Sequence, residues 1–249
     1  MFGVKVYSRC RISHRYVPLH GDFLSVKTRL FMFSSSLLRK VVMALSGLFL
    51  ISFLALHLAI NLASVFSEEL YNTWSHFMGY NPVVQFILQP VLVAGVILHF
   101  VMGFVLEAQN RKARGPVGYK VGSKGTNSSW LSRNMLLSGG VVLAFIGLHM
   151  YDFWLHEMIY KYVESNPVDT TRYYGFTVEL FDLTRTVIYS VAFVLLGMHL
   201  YHGFASSMQT IGFDNKYGKA IQAFAKAYAI VVPAGFIFIA VYHFLNPIQ

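Results

Sequence analysis

Four histidines stand deep inside long apolar stretches of this sequence, where ionisable side chains are rare because hydrocarbon offers them no hydrogen bonds. They are His57, His99, His149 and His199. Each lies 16 or 17 residues beyond the residue that marks the start of its stretch. These boundary residues are Lys40, Pro82, Arg133 and Asp182. The regular spacing indicates that the four histidines occupy matched positions along their segments.

The spacing converts into depth because an α-helix rises about 1.5 Å per residue, which puts each histidine roughly 25 Å from the start of its helix. Successive membrane helices run in opposite directions. We therefore expect His57 and His149 near the outer face, and His99 and His199 near the inner face. Two facing neutral imidazoles are the axial ligand set of a b-type haem, so the sequence predicts two haems between helices. For any one histidine, an ordinary hydrogen bond between helices is the alternative.

The two histidines of the predicted inner pair are each followed four residues later by a glycine, Gly103 and Gly203. Residues four apart share one face of a helix, so each glycine would leave room for a flat porphyrin. A glycine that serves helix packing is the alternative. His202 follows His199 by three residues. We expect His199 to be the ligand and His202 to contact the haem edge or the headgroup boundary.

Five further histidines are not expected to bind iron. His243 lies at the outer depth but lacks a fourth histidine to pair with, so we expect it to pack between helices or touch a haem edge. His76 and His156 fall in outer loops, where we expect them to be solvated, with contact to a ligand near that surface as the alternative. His14 and His20 lie in the basic N-terminal stretch.

The chain's one cysteine, Cys10, excludes an internal disulfide, a cysteine-ligated iron–sulfur cluster and haem attachment through C-x-x-C-H. No glycine-rich nucleotide loop of the G-x-G-x-x-G or Walker type occurs. Any flavin or nucleotide chemistry is therefore expected in a different chain.

The elements that must position the histidines are membrane helices. Of the 249 residues, 55% are hydrophobic and 12% are charged, about half the charged fraction of an ordinary soluble domain. Five segments are long and apolar enough to cross about 30 Å of hydrocarbon. They are Val41–Leu62, Pro82–Leu106, Asn134–Leu155, Thr184–Met208 and Ala227–Leu245. The predicted fold is an all-α bundle of five transmembrane helices over residues 34–249, after a basic N-terminal extension over residues 1–33.

Lysine and arginine predict the orientation of this bundle. Residues 1–40 hold eight of them, residues 107–133 hold six and residues 209–226 hold three, whereas the other side has only Lys161, Arg172 and Arg185. By the positive-inside rule, the N-terminus is cytoplasmic and the C-terminus is outside. The net charge of +9 is concentrated in loops on one side of the membrane, so it favours a membrane surface and not a nucleic acid as its partner.

Four stretches of the chain resemble a known family. They are RKVVMALSGLFLISFLALHLAINL, HFMGYNPVVQFILQP, SRNMLLSGGVVLAFIGLHMYDFW and GMHLYHGFASSMQTIG. Together they resemble the cytochrome b membrane-anchor subunit of succinate:quinone oxidoreductases, which are succinate dehydrogenases and fumarate reductases. The closest likeness is to the five-helix, di-haem branch found in many bacteria, and it covers about residues 34 to 245.

The resemblance implies a multi-pass chain of the bacterial inner membrane that holds two b haems. It also implies a flavoprotein subunit and an iron–sulfur subunit as partners, and a membrane quinone, expected to be menaquinone, as the electron acceptor or donor. The family's axial ligands fall on His57 and His149 for the distal haem, and on His99 and His199 for the proximal haem. The family's glycines after the last ligand fall on Gly203 and Gly212, which again favours His199 over His202.

One departure from the family concerns proton movement. Some fumarate reductases of this branch carry a glutamate two residues before the last ligand, where this chain has Gly197. The quinone-site residues do not carry over, and Glu68, Glu69 and His76 are only candidates.

Two other functions fit the same residues. A b-type subunit of another quinone-linked enzyme, such as a hydrogenase or formate dehydrogenase, would use the same histidines with different partners. A proton-coupled transporter would use histidines within the membrane as a proton relay.

Overall fold

The computed structural model of this chain describes residues 35–114, 134–213 and 217–248. These residues are helical almost throughout and include no strand. Five of the helices are long and apolar enough to cross a membrane, by length and composition. The prediction of an all-α protein with five such helices is confirmed. The N-terminal extension, with Cys10, His14 and His20, lies outside the described residues, as does the boundary residue Arg133.

Within the described ranges, seven helices follow one another. The five long ones are α1 (Ser36–Phe66), α3 (Val84–Leu88 continued by Gln89–Arg114), α4 (Met135–Val163), α6 (Leu183–Thr210) and α7 (Gly218–Leu245). The two short ones are α2 (Glu68–Tyr80) and α5 (Arg172–Leu180). The long helices exceed the predicted segments because their polar ends continue the helix beyond the apolar stretch.

Serine side chains start the first two helices. The hydroxyl of Ser35 accepts from the N–H of Leu38, and that of Ser67 accepts from the N–H of Leu70 at 3.2 Å. Each serine thereby satisfies one of the free N–H groups at a helix start. Glu68 and Glu69 occupy the first turn of α2, where negative charge is stabilised by the helix dipole.

The short helices α2 and α5 were not predicted, because their residues lie between the long apolar segments, where we expected loops. They pack on each other at one end of the bundle, where Tyr71 and Thr177 share a hydrogen bond of 2.9 Å and Asn72 accepts from the N–H of Tyr174 at 2.8 Å. We call this end the α2–α5 end. It carries several polar contacts between elements that are far apart in sequence.

Four of the long helices form a ring in the order α3, α1, α6, α4, and α7 packs outside the ring on α6 and α1. The close approach of α6 and α7 depends on Gly197, because a Cβ there would lie 3.0 Å from the carbonyl oxygen of Ala229. The buried core lies on this side and includes Tyr189, Phe193 and Phe236.

The opposite side of the ring is more open. In the most apolar 18-residue stretch of α3 and of α4, only 6% of the residues are buried by the chain itself, against 39% in that of α7. These two helices carry His99 and His149. Their faces therefore need cover from lipid, a partner chain or a prosthetic group.

Candidate functional site: two histidine pairs

The four histidines of the apolar segments lie in two pairs across the ring of helices. His57 on α1 faces His149 on α4 with ring centroids 5.6 Å apart, and His99 on α3 faces His199 on α6 at 6.3 Å. Each pair joins helices that stand diagonally opposite in the ring. These are the pairs that the depth count predicts, whereas iron ligation by them stays a prediction.

The two pairs are stacked along the bundle. Ser46 contacts His99. Ser46 lies on α1, eleven residues before His57 on the same helix. Eleven residues of helix span about 16 Å. The same interval separates Ser138, which contacts His199, from His149 on α4. The His57/His149 pair is the one nearer the α2–α5 end.

The spacing within each pair fits one iron between two imidazoles. A metal–imidazole bond of about 2.0 Å, with about 1.1 Å from the bonding nitrogen to the ring centre, puts the two centroids about 6 Å apart. The observed 5.6 and 6.3 Å lie on either side of this value. The centroid separations therefore suit one metal ion between the two rings of each pair.

Each ring of the His99/His199 pair contacts a serine. Nδ1 of His99 lies 3.2 Å from Oγ of Ser46, and Nδ1 of His199 lies 3.2 Å from Oγ of Ser138. The residue after each serine is glycine, and the imidazole packs against it. A Cβ on Gly47 would lie 3.2 Å from Cε1 of His99, so a side chain there would push the ring away.

The serine and glycine contacts belong to a repeat that the sequence analysis missed. The pattern M-x-x-S-G, with a histidine ten residues after the glycine, occurs at Met43–His57 and again 92 residues later at Met135–His149. A comparison of the chain with itself would have found it. Both copies pack similarly, because Cε of each methionine lies 3.5 Å from the Cβ position of Gly103 or Gly203. Clearance of a porphyrin by these glycines stays a prediction.

The His57/His149 pair lies among aromatic rings and lacks the serines. Phe53 stacks on His57 at 5.3 Å, and Phe153 lies 5.0 Å from His149. The amide nitrogen of Asn61 donates to the carbonyl of His57 at 2.8 Å and lies 3.4 Å from its Nδ1. Nδ1 of His149 is buried and finds no hydrogen-bond partner within the described residues. The two pairs therefore differ in polar support.

A buried acid lies three residues beyond His149. Asp152 is 1% exposed, accepts from the hydroxyl of Tyr189 at 2.9 Å and pairs with Arg185 at 3.0 Å. Tyr189 in turn contacts the His149 ring at 6.2 Å. From the sequence, Arg185 was predicted to be a loop cation, and Asp152 had no predicted role. A lone acid inside an apolar segment is the signal that could have found this contact.

The remaining described histidines have separate roles. His243 is fully buried and donates from Nε2 to Oγ of Ser64 at 2.8 Å, since that hydroxyl itself donates to a carbonyl. This contact joins α7 to α1, in line with the packing role expected for His243. Nδ1 of His156 contacts the carbonyl of Tyr151 at 3.0 Å. His202 is half-buried, one helical turn from His199.

An ionic network occupies the α2–α5 end. Glu157 pairs with Lys161 at 2.6 Å and with Arg172, and Lys161 donates to the carbonyl of Gly79 at 2.6 Å. Gly79 is needed for this approach, because a Cβ there would lie 3.2 Å from both Oε1 of Glu157 and Nζ of Lys161. The network ties α4 to both short helices.

Aromatic side chains surround the network. The ammonium of Lys161 lies 3.9 Å from the ring centre of Tyr80, on which His76 stacks at 4.5 Å. Burial and the Glu157 carboxylate raise the pKa of Tyr173, so its phenol stays protonated. The hydroxyl of Tyr173 and Nδ1 of His76 are buried without a hydrogen-bond partner in the described ranges. Of the quinone candidates, His76 therefore lies beside this network, whereas Glu68 and Glu69 are exposed.

A scan of protein-family models, a search of curated proteins and a search of solved structures each found no match to this chain. Two stacked pairs of neutral imidazoles in an apolar bundle can hold two metal centres of the same coordination.

Proposed function

We propose that this chain is the cytochrome b membrane-anchor subunit of a succinate:quinone oxidoreductase, a succinate dehydrogenase or fumarate reductase. The observation that carries the proposal is the pair of centroid separations, 5.6 Å for His57/His149 and 6.3 Å for His99/His199. Both suit one iron between two imidazoles. The sequence resemblance supplies the enzyme class.

The four histidines would serve as the axial ligands of two b haems. When bound, the haems would supply one-electron transfer between an iron–sulfur subunit and a membrane quinone. The helices hold the two sites about 16 Å apart along the bundle, as set by eleven helical residues. Phe53 and Phe153 surround the His57/His149 site with apolar rings and would keep water from it.

The charge distribution supports an orientation for this pathway. Seventeen of the 20 lysines and arginines fall within residues 1–40, 107–133 and 209–226 of the sequence, the segments that the positive-inside rule makes cytoplasmic. The flavoprotein and iron–sulfur subunits would dock there, near the His99/His199 site. The α2–α5 end would face outward, in a bacterial inner membrane, with the His57/His149 site closer to it.

The outward end would be where quinone exchanges electrons with the distal haem. His76 and the network of Glu157 and Arg172 supply ionisable groups there.

Position 197 bears on proton movement across the membrane, because some fumarate reductases of the resembled branch carry a glutamate at the matching position. Gly197 packs against Ala229 without space for a side chain, so this chain offers no carboxylate at that point.

The proposal is tested by a reduced-minus-oxidised spectrum and pyridine haemochrome stoichiometry of the complex purified through this chain. We expect two b haems per chain, together with a covalent or tightly bound flavin, iron–sulfur clusters and succinate:quinone reductase activity. A colourless complex would favour a proton-coupled transporter and overturn the proposal. Two haems with a hydrogenase or formate dehydrogenase as partner would keep the haem assignment and overturn the enzyme class.

A further inference from the structure

We propose that Ser46 and Ser138 are positioning residues that orient His99 and His199. They would lower the reduction potential of the inner (proximal) haem, which these two histidines would hold, and not that of the distal haem. The inference rests on the proposed di-haem function. Nδ1 of His99 lies 3.2 Å from the hydroxyl oxygen of Ser46, and Nδ1 of His199 lies 3.2 Å from the hydroxyl oxygen of Ser138.

The direction of both hydrogen bonds follows from proton counting. The hydroxyl of Ser46 donates to the carbonyl of Met43 at 3.0 Å, and the hydroxyl of Ser138 donates to the carbonyl of Met135 at 3.0 Å. A hydroxyl has one proton to donate. Towards the imidazole, each serine oxygen must therefore accept, so Nδ1 of each histidine carries the proton. Nε2 is left with its lone pair, the form in which an imidazole binds a metal.

The glycine after each serine supports the same arrangement. The Cβ positions of Gly47 and Gly139 lie 3.2 and 3.4 Å from Cε1 of His99 and His199. Each ring thus lies directly against the backbone of the neighbouring helix, with the serine oxygen at its Nδ1 edge. The arrangement occurs twice because the M-x-x-S-G pattern occurs on both α1 and α4.

The other pair lacks this support. Nδ1 of His149 has no hydrogen-bond partner among the described residues, and Nδ1 of His57 faces an amide nitrogen of Asn61 at 3.4 Å. An acceptor at Nδ1 makes an imidazole a stronger electron donor, which stabilises ferric iron and lowers the potential. The serines should therefore act on the haem of His99 and His199 alone.

The test replaces each serine by alanine in the full complex and follows both haems by redox titration and low-temperature EPR. In Ser46→Ala and Ser138→Ala, the inner haem's midpoint potential should rise and its low-spin signal should move, further in the double variant. Ser46→Thr, which keeps a hydroxyl, should restore the wild-type values. Selective loss of the inner haem in the alanine variants would also support the proposal.

Ser52→Ala is the matched control, because Ser52 lies on α1 and donates to the carbonyl of Leu48 at 3.0 Å without touching a histidine. An inner haem that behaves in Ser46→Ala and Ser138→Ala as it does in Ser52→Ala would overturn the inference. Equal shifts of both haems would overturn it too. The proposed function would survive either result, since it is tested separately by the haem content and the partner subunits of the wild-type complex.

Discussion

The imidazole rings of His99 and His199 stand 6.3 Å apart with their planes 77° from parallel, although 100 residues of sequence separate them. The His57 and His149 rings meet at a similar angle, 82°. Both pairs join helices that are diagonal in the ring, so both stand in the space that the four helices enclose.

The ring angles predict the EPR spectrum of the oxidised complex. Near-perpendicular axial imidazoles leave the iron orbitals almost degenerate, which produces strongly anisotropic low-spin signals. We expect two such signals, one for each haem, in low-temperature EPR. A conventional rhombic spectrum from either haem would show that its imidazole planes are closer to parallel than the 77° and 82° found here.

If the four histidines are the axial ligands of two haems, as proposed, replacing one histidine at a time should remove the haems selectively. His57→Ala or His149→Ala should abolish the distal haem first, and His99→Ala the proximal one, because each leaves iron with a single axial partner. Optical redox titration of membranes would count the haems that remain. His156→Ala is the control, since His156 is exposed and, among the described residues, its hydrogen bond is to its own helix and its ring contacts Phe176. Loss of the distal haem in His99→Ala with the proximal haem intact would contradict the pairing.

His199 and His202 should respond differently to substitution. His199→Ala should lose the proximal haem or convert it to high spin, whereas His202→Ala should keep a low-spin spectrum with a modest shift in potential. His202 lies one turn away from the ring that faces His99. EPR of both variants decides the matter, and a low-spin proximal haem that survives only in His199→Ala would reverse the assignment.

Reporter fusions test the orientation. A fusion at the C-terminal residue Gln249 should read as extracytoplasmic, because five crossings from a cytoplasmic N-terminus end outside. A second fusion in the basic loop around residue 120 should read as cytoplasmic. A cytoplasmic result at the C-terminus would require an inverted bundle or a different number of crossings.

The ionic network at the α2–α5 end should contribute to stability. Glu157→Gln leaves Lys161 and Arg172 without their carboxylate, although their side chains are only 5% and 19% exposed. Removing one partner of a largely buried pair costs about 3 kcal/mol. Thermal unfolding in detergent should therefore shift clearly downward.

Glu107→Gln is the matched control for that measurement. Glu107 pairs with Arg111 in the same i, i+4 geometry as Glu157 with Lys161, but the Arg111 side chain is 67% exposed. An exposed pair of this kind is worth about 0.5 kcal/mol at most. Equal effects of the two substitutions would show that the network adds no more than a surface pair.

Much of this protein could be predicted from its sequence. Apolar stretches of about 20 residues have to be helical in hydrocarbon, because each backbone N–H and C=O must be satisfied within its own segment. The number of long helices and the depth of each histidine follow from length and helical rise alone. His57 could thus be matched to His149, and His99 to His199, before the structure was known.

Only the tertiary structure decided what surrounds those histidines. Ser46 reaches His99 across 53 residues, and Tyr189 reaches Asp152 across 37, because helix rotation about the long axis selects which side chains meet. Apolar composition leaves that rotation undetermined. Between Met135 and His149, α4 has no polar stripe that marks one face as outward, so its sequence does not show which face packs inward. The helices α2 and α5 were missed for a related reason. Their amphipathic turns are short, and they are held by contacts such as Tyr71 with Thr177, which exist only once the bundle has folded.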